Sequence, residues 1–290
     1  MQFEFPNSIK SDFDGYEILI DFYNKTSNLK FDSIVLNFNN VEWFEANLTA
    51  VLGSILSNAQ NNFNDIKIEN LLDKLNFLLS RNHFLSHFGG LKIQDFYDTT
   101  IKYRKFKVNE EKLFKGYLDY ELLSRQVLPQ MSDLLKKKIN ESIFEIFSNA
   151  VIHGRCQNIF TCGQYYPTQN RLDFTIVDLG KTIKTNVNDY LKNSLSGSDA
   201  IKWAIIEGHT TKQGSIPGGL GLSLIREFIS KNQGKIQIVS EDGYWEQKKE
   251  EETVNNFYQT FPGTIVNLEF NVADTSHYYL SSEVDEENIF

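Results

Sequence analysis

Apolar positions along the chain change their period several times, and each change marks an element. Residues 2–5 alternate as a short strand does, and residues 16–23 carry Ile18, Leu19, Ile20 and Phe22 at helical spacing. Residues 33–38, SIVLNF, form a short apolar run that predicts a buried strand. A loop with Trp43 and Phe44 follows, then a helix over 48–59, a strand over 66–68 and a helix over 71–84. Strands alternating with helices at this interval predict a sheet covered by helices, a first α/β unit spanning residues 1–114. Residues 100–107 alternate well enough for a strand that bridges to the next unit. Residues 110–134 have mostly helical spacing, broken at Pro129, which separates two helices because it lacks an N–H and crowds the preceding turn.

The longest amphipathic run covers 134–153, with Leu134, Leu135, Ile139, Ile143, Ile146, Phe147, Ala150 and Val151 three and four apart. Segments 158–165 and 171–178 are strand-like and flank Pro167-Thr168-Gln169-Asn170, whose chemistry is that of a turn, so they predict a hairpin. Between 178 and 218 lies a long insertion, helical over 198–206 and irregular over 208–216. A loop of that length inside a compact domain is functional or disordered. An apolar-periodic helix runs over 222–229, and strands are expected at 235–239, 253–261 and 264–270. The tail, 274–290, is acidic with no Lys or Arg, which predicts a flexible end.

Candidate chemistry begins inside the amphipathic run, at 145–154, EIFSNAVIHG. Glu145 and Asn149 are four apart and share one face. A carboxylate that holds a water, one turn from an amide oxygen that holds a metal, makes a workable phosphate site; the same pair also describes the wet edge of a helix. Asp178-Leu179-Gly180 closes a strand, where Asp before Gly is also an ordinary turn. Gly218-Gly219-Leu220-Gly221-Leu222 opens a helix, and glycines there let backbone N–H groups approach a phosphate. Gly263-Thr264 begins the last strand.

Taken in order, these stretches match E-x-x-x-N-A (Glu145, Asn149, Ala150), D-x-G (Asp178, Gly180), G-x-G-L (Gly219, Gly221, Leu222) and G-T (Gly263, Thr264). The set resembles the GHKL ATP-binding fold of gyrase-type topoisomerases, large heat-shock chaperones, sensor histidine kinases and mismatch-repair ATPases. The box ending in His153-Gly154 most resembles that of anti-sigma-factor serine kinases. The resemblance implies an α/β fold of the α+β two-layer sandwich type over 115–273, a mixed sheet with helices on one face, with ATP and Mg²⁺ as cofactors. It implies that Asn149 binds Mg²⁺, that Glu145 orients or deprotonates the attacking water or hydroxyl, and that Asp178 accepts from the adenine amino group. Thr264 would support Asp178 directly or through water, and Gly180 would leave room for the base. Gly219 and Gly221 would offer amides to the phosphates, with Ile183, Leu220 and Leu222 completing the nucleotide set. The resemblance makes the 178–218 insertion a lid over ATP; Lys212 either reaches the γ-phosphate from it or is an exposed lysine of the lid, and His153 either lies near the phosphates or caps its helix. Two features depart from the family: Thr182 stands where D-x-G-x-G has its second glycine, and no phosphoacceptor histidine motif precedes the first box.

The pattern SIVLNFNNVEWFEANLTAVLGSIL over 33–56 resembles a STAS domain, the fold of anti-sigma-factor antagonists. Those domains carry a phosphorylated serine at the start of the helix; here the stretch is Glu45-Ala46-Asn47-Leu48-Thr49, and Thr49 is the nearby hydroxyl. Together the resemblances imply an Mg-dependent ATPase switch, with a serine/threonine kinase of the anti-sigma type or a non-hydrolysing ATP sensor as alternatives. A protein partner or a homodimer is expected.

Composition narrows this only a little. The chain has 290 residues and a formal charge of −9 with no long basic stripe, which argues against nucleic acid or an anionic membrane as main partner. Lys136-Lys137-Lys138 reads as the wet face of a helix. Cys156 and Cys162 match no zinc spacing and read as two free thiols. His83 and His87, four apart, could share a helical face as metal ligands do, but no third ligand is evident. Neither a signal-like start nor an apolar run of about 18 residues occurs, so a cytoplasmic protein is expected.

Overall fold

The computed structural model describes residues 1–209, 211 and 220–283. Among them the chain is a mixed α/β protein of eight α-helices and several sheets. Its first part contains β1 (Gln2–Glu4), β2 (Ser8–Ile9), α1 (Phe13–Thr26), β3 (Ser33–Asn37), β4 (Trp43–Phe44), α2 (Thr49–Asn61), β5 (Asp65–Glu69) and α3 (Asp73–Arg81). Strands β1, β3 and β5 form a parallel sheet in the order β1-β3-β5, and β2 pairs with β4. Helix α1 starts where Asp12 accepts from the Gly15 N–H at 2.9 Å. Ten of the thirteen residues of α2 are buried, which marks a helix covered on nearly every side.

The second part contains β6 (Thr100–Lys107), α4 (Glu111–Tyr117), β7 (Gln130–Met131), α5 (Asp133–Asn149), β8 (Asn158–Tyr166), β9 (Arg171–Asp178), α6 (Ile183–Leu191), α7 (Gly197–Ala204), α8 (Leu220–Lys231), β10 (Lys235–Lys248), β11 (Glu251–Asn271) and β12 (His277–Tyr278). Its main sheet has five strands in the order β10-β11-β9-β8-β6. Phe174, Ile176, Val266 and Leu268 face one apolar core with Ile139, Ile143 and Phe147 of α5 and Ile225 and Ile229 of α8. Val177, Val239 and Ile265 face the other core, with Tyr16, Leu19 and Ile20 of α1 and Val51, Leu52 and Ile55 of α2. Each such side chain contributes about 1.5–3 kcal/mol when fully buried, so neither sheet face is stable without its helices.

Several expectations need correction. Every pairing in the main sheet is antiparallel, where a mixed sheet was expected: β8–β9 and β10–β11 are hairpins, and the long connections before β8 and after β9 also return the chain antiparallel to its neighbour. Helices lie on both of its faces rather than one, since α1 and α2 fill the reverse side. The bridging strand, β6, is an edge of the main sheet. The strands expected at 253–261 and 264–270 are one strand, β11; its register slips between Ser240 and Glu241, and Pro262, which cannot donate, falls in the slip. Helix α6 occupies part of the insertion where no helix was expected. His83 and His87 do not share a helical face: α3 stops at Arg81, and His83 has φ 67° in the following turn.

A buried polar seam joins the two parts. Asn47, fully buried, donates to Ser11 Oγ (2.8 Å), Thr175 Oγ1 (3.0 Å) and Asn267 Oδ1 (3.2 Å), and accepts from the Tyr166 hydroxyl (3.3 Å). Beside it Arg171 pairs with Glu45, with Glu269 at 3.2 Å and with Asp173 Oδ2 at 2.8 Å, the last an ion pair without hydrogen-bond alignment. Burial pushes the Asp173 carboxyl up to about 8, against the pull of Arg171. At the outer edge, β6 has its backbone groups taken locally: Lys102 O accepts from the Tyr117 hydroxyl (2.7 Å), Thr100 O from Arg125 Nη2 (2.6 Å), and Tyr103 N donates to Asn82 O (2.7 Å). No helix among the described residues is long and apolar enough to cross a membrane.

The seam yields a stability prediction. Asn47→Ala strands buried partners on β9 and β11 and should lower unfolding free energy by about 2–3 kcal/mol. Urea titration of both proteins measures the difference; a loss under about 0.5 kcal/mol, the scale of an ordinary surface change, would mean the seam holds nothing.

Candidate functional site

Helix α5 carries the first half of the site. Ser132 caps it, accepting from the Leu135 N–H at 3.1 Å, and its buried residues Leu135, Ile139, Ile143 and Phe147 fix its roll on the sheet. That roll leaves Glu145 and Asn149 on the wall of a pocket. Beyond Asn149 the helix widens over Ala150–Gly154 into a turn with i→i+5 bonding, a form frequent at functional sites, and stops at Arg155 with φ 50°. The wider turn brings Gly154 against the end of β9, where a Cβ on Gly154 would stand 3.0 Å from Asp178 Oδ1.

Strands β9 and β11 carry the second half. Asp178 and Thr264 are paired across them. A Cβ on Gly263 would collide with the Asp178 carbonyl oxygen, and one on Gly180 with the Gly154 carbonyl oxygen, so both glycines are set by close backbone approach. The Gly154 carbonyl accepts from the Lys181 N–H, and the His153 carbonyl from Asn186 Nδ2 at 3.1 Å. These bonds fasten the end of α5 to the start of α6.

Asp178 is the anomaly. It is 5% exposed, its Oδ1 has no hydrogen-bond partner, and burial pushes its carboxyl up to about 8. The nearby cation Lys181 is taken by Asp189, 2.6 Å away. Ile176, Ile183, Val187 and Val266 share the pocket with it, so the carboxyl stands among apolar groups. Leaving such an atom without a partner costs about 1–3 kcal/mol, a cost that a donor in the pocket would relieve.

Glu145, Asn149, His153, Asp178, Ile183, Leu222 and Thr264 all line this one pocket, although they come from α5, β9, α6, α8 and β11. Gly180 adjoins it through its contacts with Gly154 and Asp178. Leu220 and Gly221 begin α8, but the Leu220 side chain, like Lys212, Gly218 and Gly219 as a whole, lies outside the described residues. Thr264 does not bond Asp178 directly: its hydroxyl is 3.1 Å from Ser240 Oγ, its neighbour across the β10–β11 ladder. The His153 ring lines the pocket with Nδ1 3.2 Å from Thr211 Oγ1. Thr182, which replaces the family's glycine, is the N-cap of α6: it accepts from the Thr185 N–H at 3.1 Å and donates to Glu241 at 2.6 Å.

Sequence reasoning passed over Asn186, Trp203, His209 and Thr211, which also line the pocket. They lie in the insertion, where periodicity is too weak to place a side chain. Thr49, by contrast, is fully buried and bonded to Ala46 O at 2.6 Å. Both cysteines are buried free thiols pushed up to about 12 by that burial, which leaves them protonated and unreactive. Among the described residues no group of three or more His, Cys, Asp or Glu could hold a metal ion. No protein-family model matches the sequence, and no curated protein matches it at a significant level.

The pH dependence of stability follows from Asp178. A carboxyl raised on folding from about 4 to about 8 binds a proton in the folded chain that the unfolded chain has released. Its contribution is therefore favourable below about pH 4 and falls by up to about 1.4 kcal/mol per unit as pH rises to about 8. Asp178→Asn should match the wild type near pH 4 and exceed it increasingly toward pH 9. Thermal melts across that range test it, and a constant difference would show that Asp178 stays ionised.

Proposed function

We propose that this pocket binds ATP in the manner of a GHKL protein, and that the chain is an Mg-dependent ATPase that works as a conformational switch. One observation carries the reading: the buried, unpartnered Asp178 carboxylate oxygen among apolar walls, at the foot of a pocket that also holds Glu145 and Asn149. The exocyclic amino group of adenine is a donor on a flat, largely apolar ring, and it supplies what that atom lacks. Gly154 and Gly180, pressed against the same carboxyl, keep side chains away from it.

The donor set suits magnesium better than a resident metal. Mg²⁺ keeps much of its water shell and takes few protein oxygens beside phosphate, so the Asn149 amide fits a site where the described residues form no cluster of acids. Bound there, Mg²⁺ would neutralise phosphate charge. Glu145, one turn earlier on α5, would orient the attacking water and accept its proton. The first part of the chain, with its strand–helix alternation over 33–61, supports the STAS-like reading, and its docking on the reverse face of β9 supports a role in relaying the state of the site. Burial of the Thr49 hydroxyl favours hydrolysis over phosphorylation within the chain.

Incubation with γ-labelled ATP and Mg²⁺ tests the reading. Wild type should release phosphate; Glu145→Ala should release it at least about 100-fold more slowly while still binding nucleotide. Asp178→Asn should not bind. Because a donor on Asp178 favours its ionised form, ATP affinity should rise between pH 6 and 8. Label fixed on the protein in place of free phosphate would replace the ATPase with a kinase, and no binding at any pH would remove the nucleotide reading.

A further inference from the structure

Two aromatic rings line the pocket without a role in either apolar core. Trp203 of α7 and His209 line it, their rings 4.6 Å apart and inclined by 32°. His209 Nδ1 lies 2.9 Å from the Trp203 carbonyl oxygen, which holds the imidazole against the indole. Tyr190 of α6 extends the row, 5.8 Å from Trp203. Trp203 packs into neither apolar core, although its neighbours Ile201 and Ile205 are core residues. A large ring at a pocket wall that serves no core is there for what enters the pocket.

The ring is also held still. At the start of α7, Gly197 lies so close to the Gly243 backbone that no Cβ fits, and the Ser198 N–H donates to Asn256 Oδ1 at 3.1 Å. Helix α7 is thereby clamped to the β10–β11 hairpin, and the half-buried Trp203 ring is presented on a rigid element.

We propose that Trp203 and His209 form the stacking surface for a flat heteroaromatic base whose amino group is taken by Asp178. This rests on the nucleotide reading and narrows it: Trp203 becomes a specificity residue that separates nucleotides from bare polyphosphate. A phosphate chain gains nothing from an apolar ring, whereas a base gains dispersion and quadrupole interaction over its whole face.

The test uses the full chain and three probes: ADP, ATP and inorganic triphosphate, each with Mg²⁺. Binding is measured by equilibrium dialysis, and tryptophan emission is recorded beside it. Trp245 is fully buried, and neither it nor Trp43 lines the pocket, so an emission change on adding ADP reports Trp203. ADP should change the emission of wild type but not of Trp203→Phe. Trp203→Ala should weaken ADP by about 5- to 100-fold, the range for loss of one base–aromatic stack, with Trp203→Phe regaining most of it. Triphosphate affinity should be the same in all three proteins, which separates lost stacking from a damaged fold. ADP bound by dialysis with unchanged affinity in Trp203→Ala would overturn the stacking surface and leave the nucleotide reading standing. Equal loss of ADP and triphosphate would also overturn it, and binding of neither would remove both.

Discussion

Strand β9 has to belong to two interiors at once. Successive side chains of a strand point to opposite faces, so Leu172, Phe174, Ile176 and Asp178 go to the α5 side while Arg171, Asp173, Thr175 and Val177 go to the α1–α2 side. A slip of one residue would exchange the two sets, driving Arg171 and Asp173 into an apolar core. The register therefore rests on the polar seam as much as on hydrophobic burial. The seam supplies direction, since amides and an arginine fork accept only partners at fixed positions, whereas the apolar sides of the sheet would tolerate several packings.

Two buried carboxyls on this strand meet the same desolvation and are treated differently. Asp173 has Arg171 2.8 Å away and accepts from Asn267, partners that offset its burial in part, although its carboxyl is still pushed up to about 8. Asp178, five residues on and on the other face, has no hydrogen-bond partner at Oδ1. Fold stability alone would favour an apolar residue there. On the proposed reading Asp178 is a group kept for a ligand, and the glycines crowded round it hold side chains away from that place.

Much of the fold was legible because long periodic segments announce themselves. The runs at 134–153 and 171–178 are α5 with its wide last turn and β9 in full, and Pro129 falls between α4 and α5 as its chemistry requires. Glu145, Asn149 and Asp178 were legible as a set through the resemblance of their ordered boxes to the GHKL fold, since helix spacing and strand-end position alone fit an ordinary helix edge and turn equally well. What was hidden is what depends on distant partners. Nothing local says that α2 is sandwiched, that Asn47 reaches β9 and β11, or that 253–261 and 264–270 are one strand. Helix α6 and the pocket side of Trp203 were missed because short helices in an insertion owe their roll to what they dock on.

The taken edge of β6 has a consequence for the chain outside its folded state. A sheet rich in aromatic and β-branched strands grows wherever a row of unpaired backbone groups meets another extended segment, and this edge is the natural point of growth. Tyr117, Arg125 and Asn82 reach it from three separate segments, so the edge closes only once those segments have docked. Until then the strand Thr100–Lys107 is guarded by its own cations, Lys102, Arg104, Lys105 and Lys107, whose mutual repulsion discourages a second copy from pairing in register. Charge protects the strand while the chain is assembling, and capping by docked segments takes over when assembly is complete.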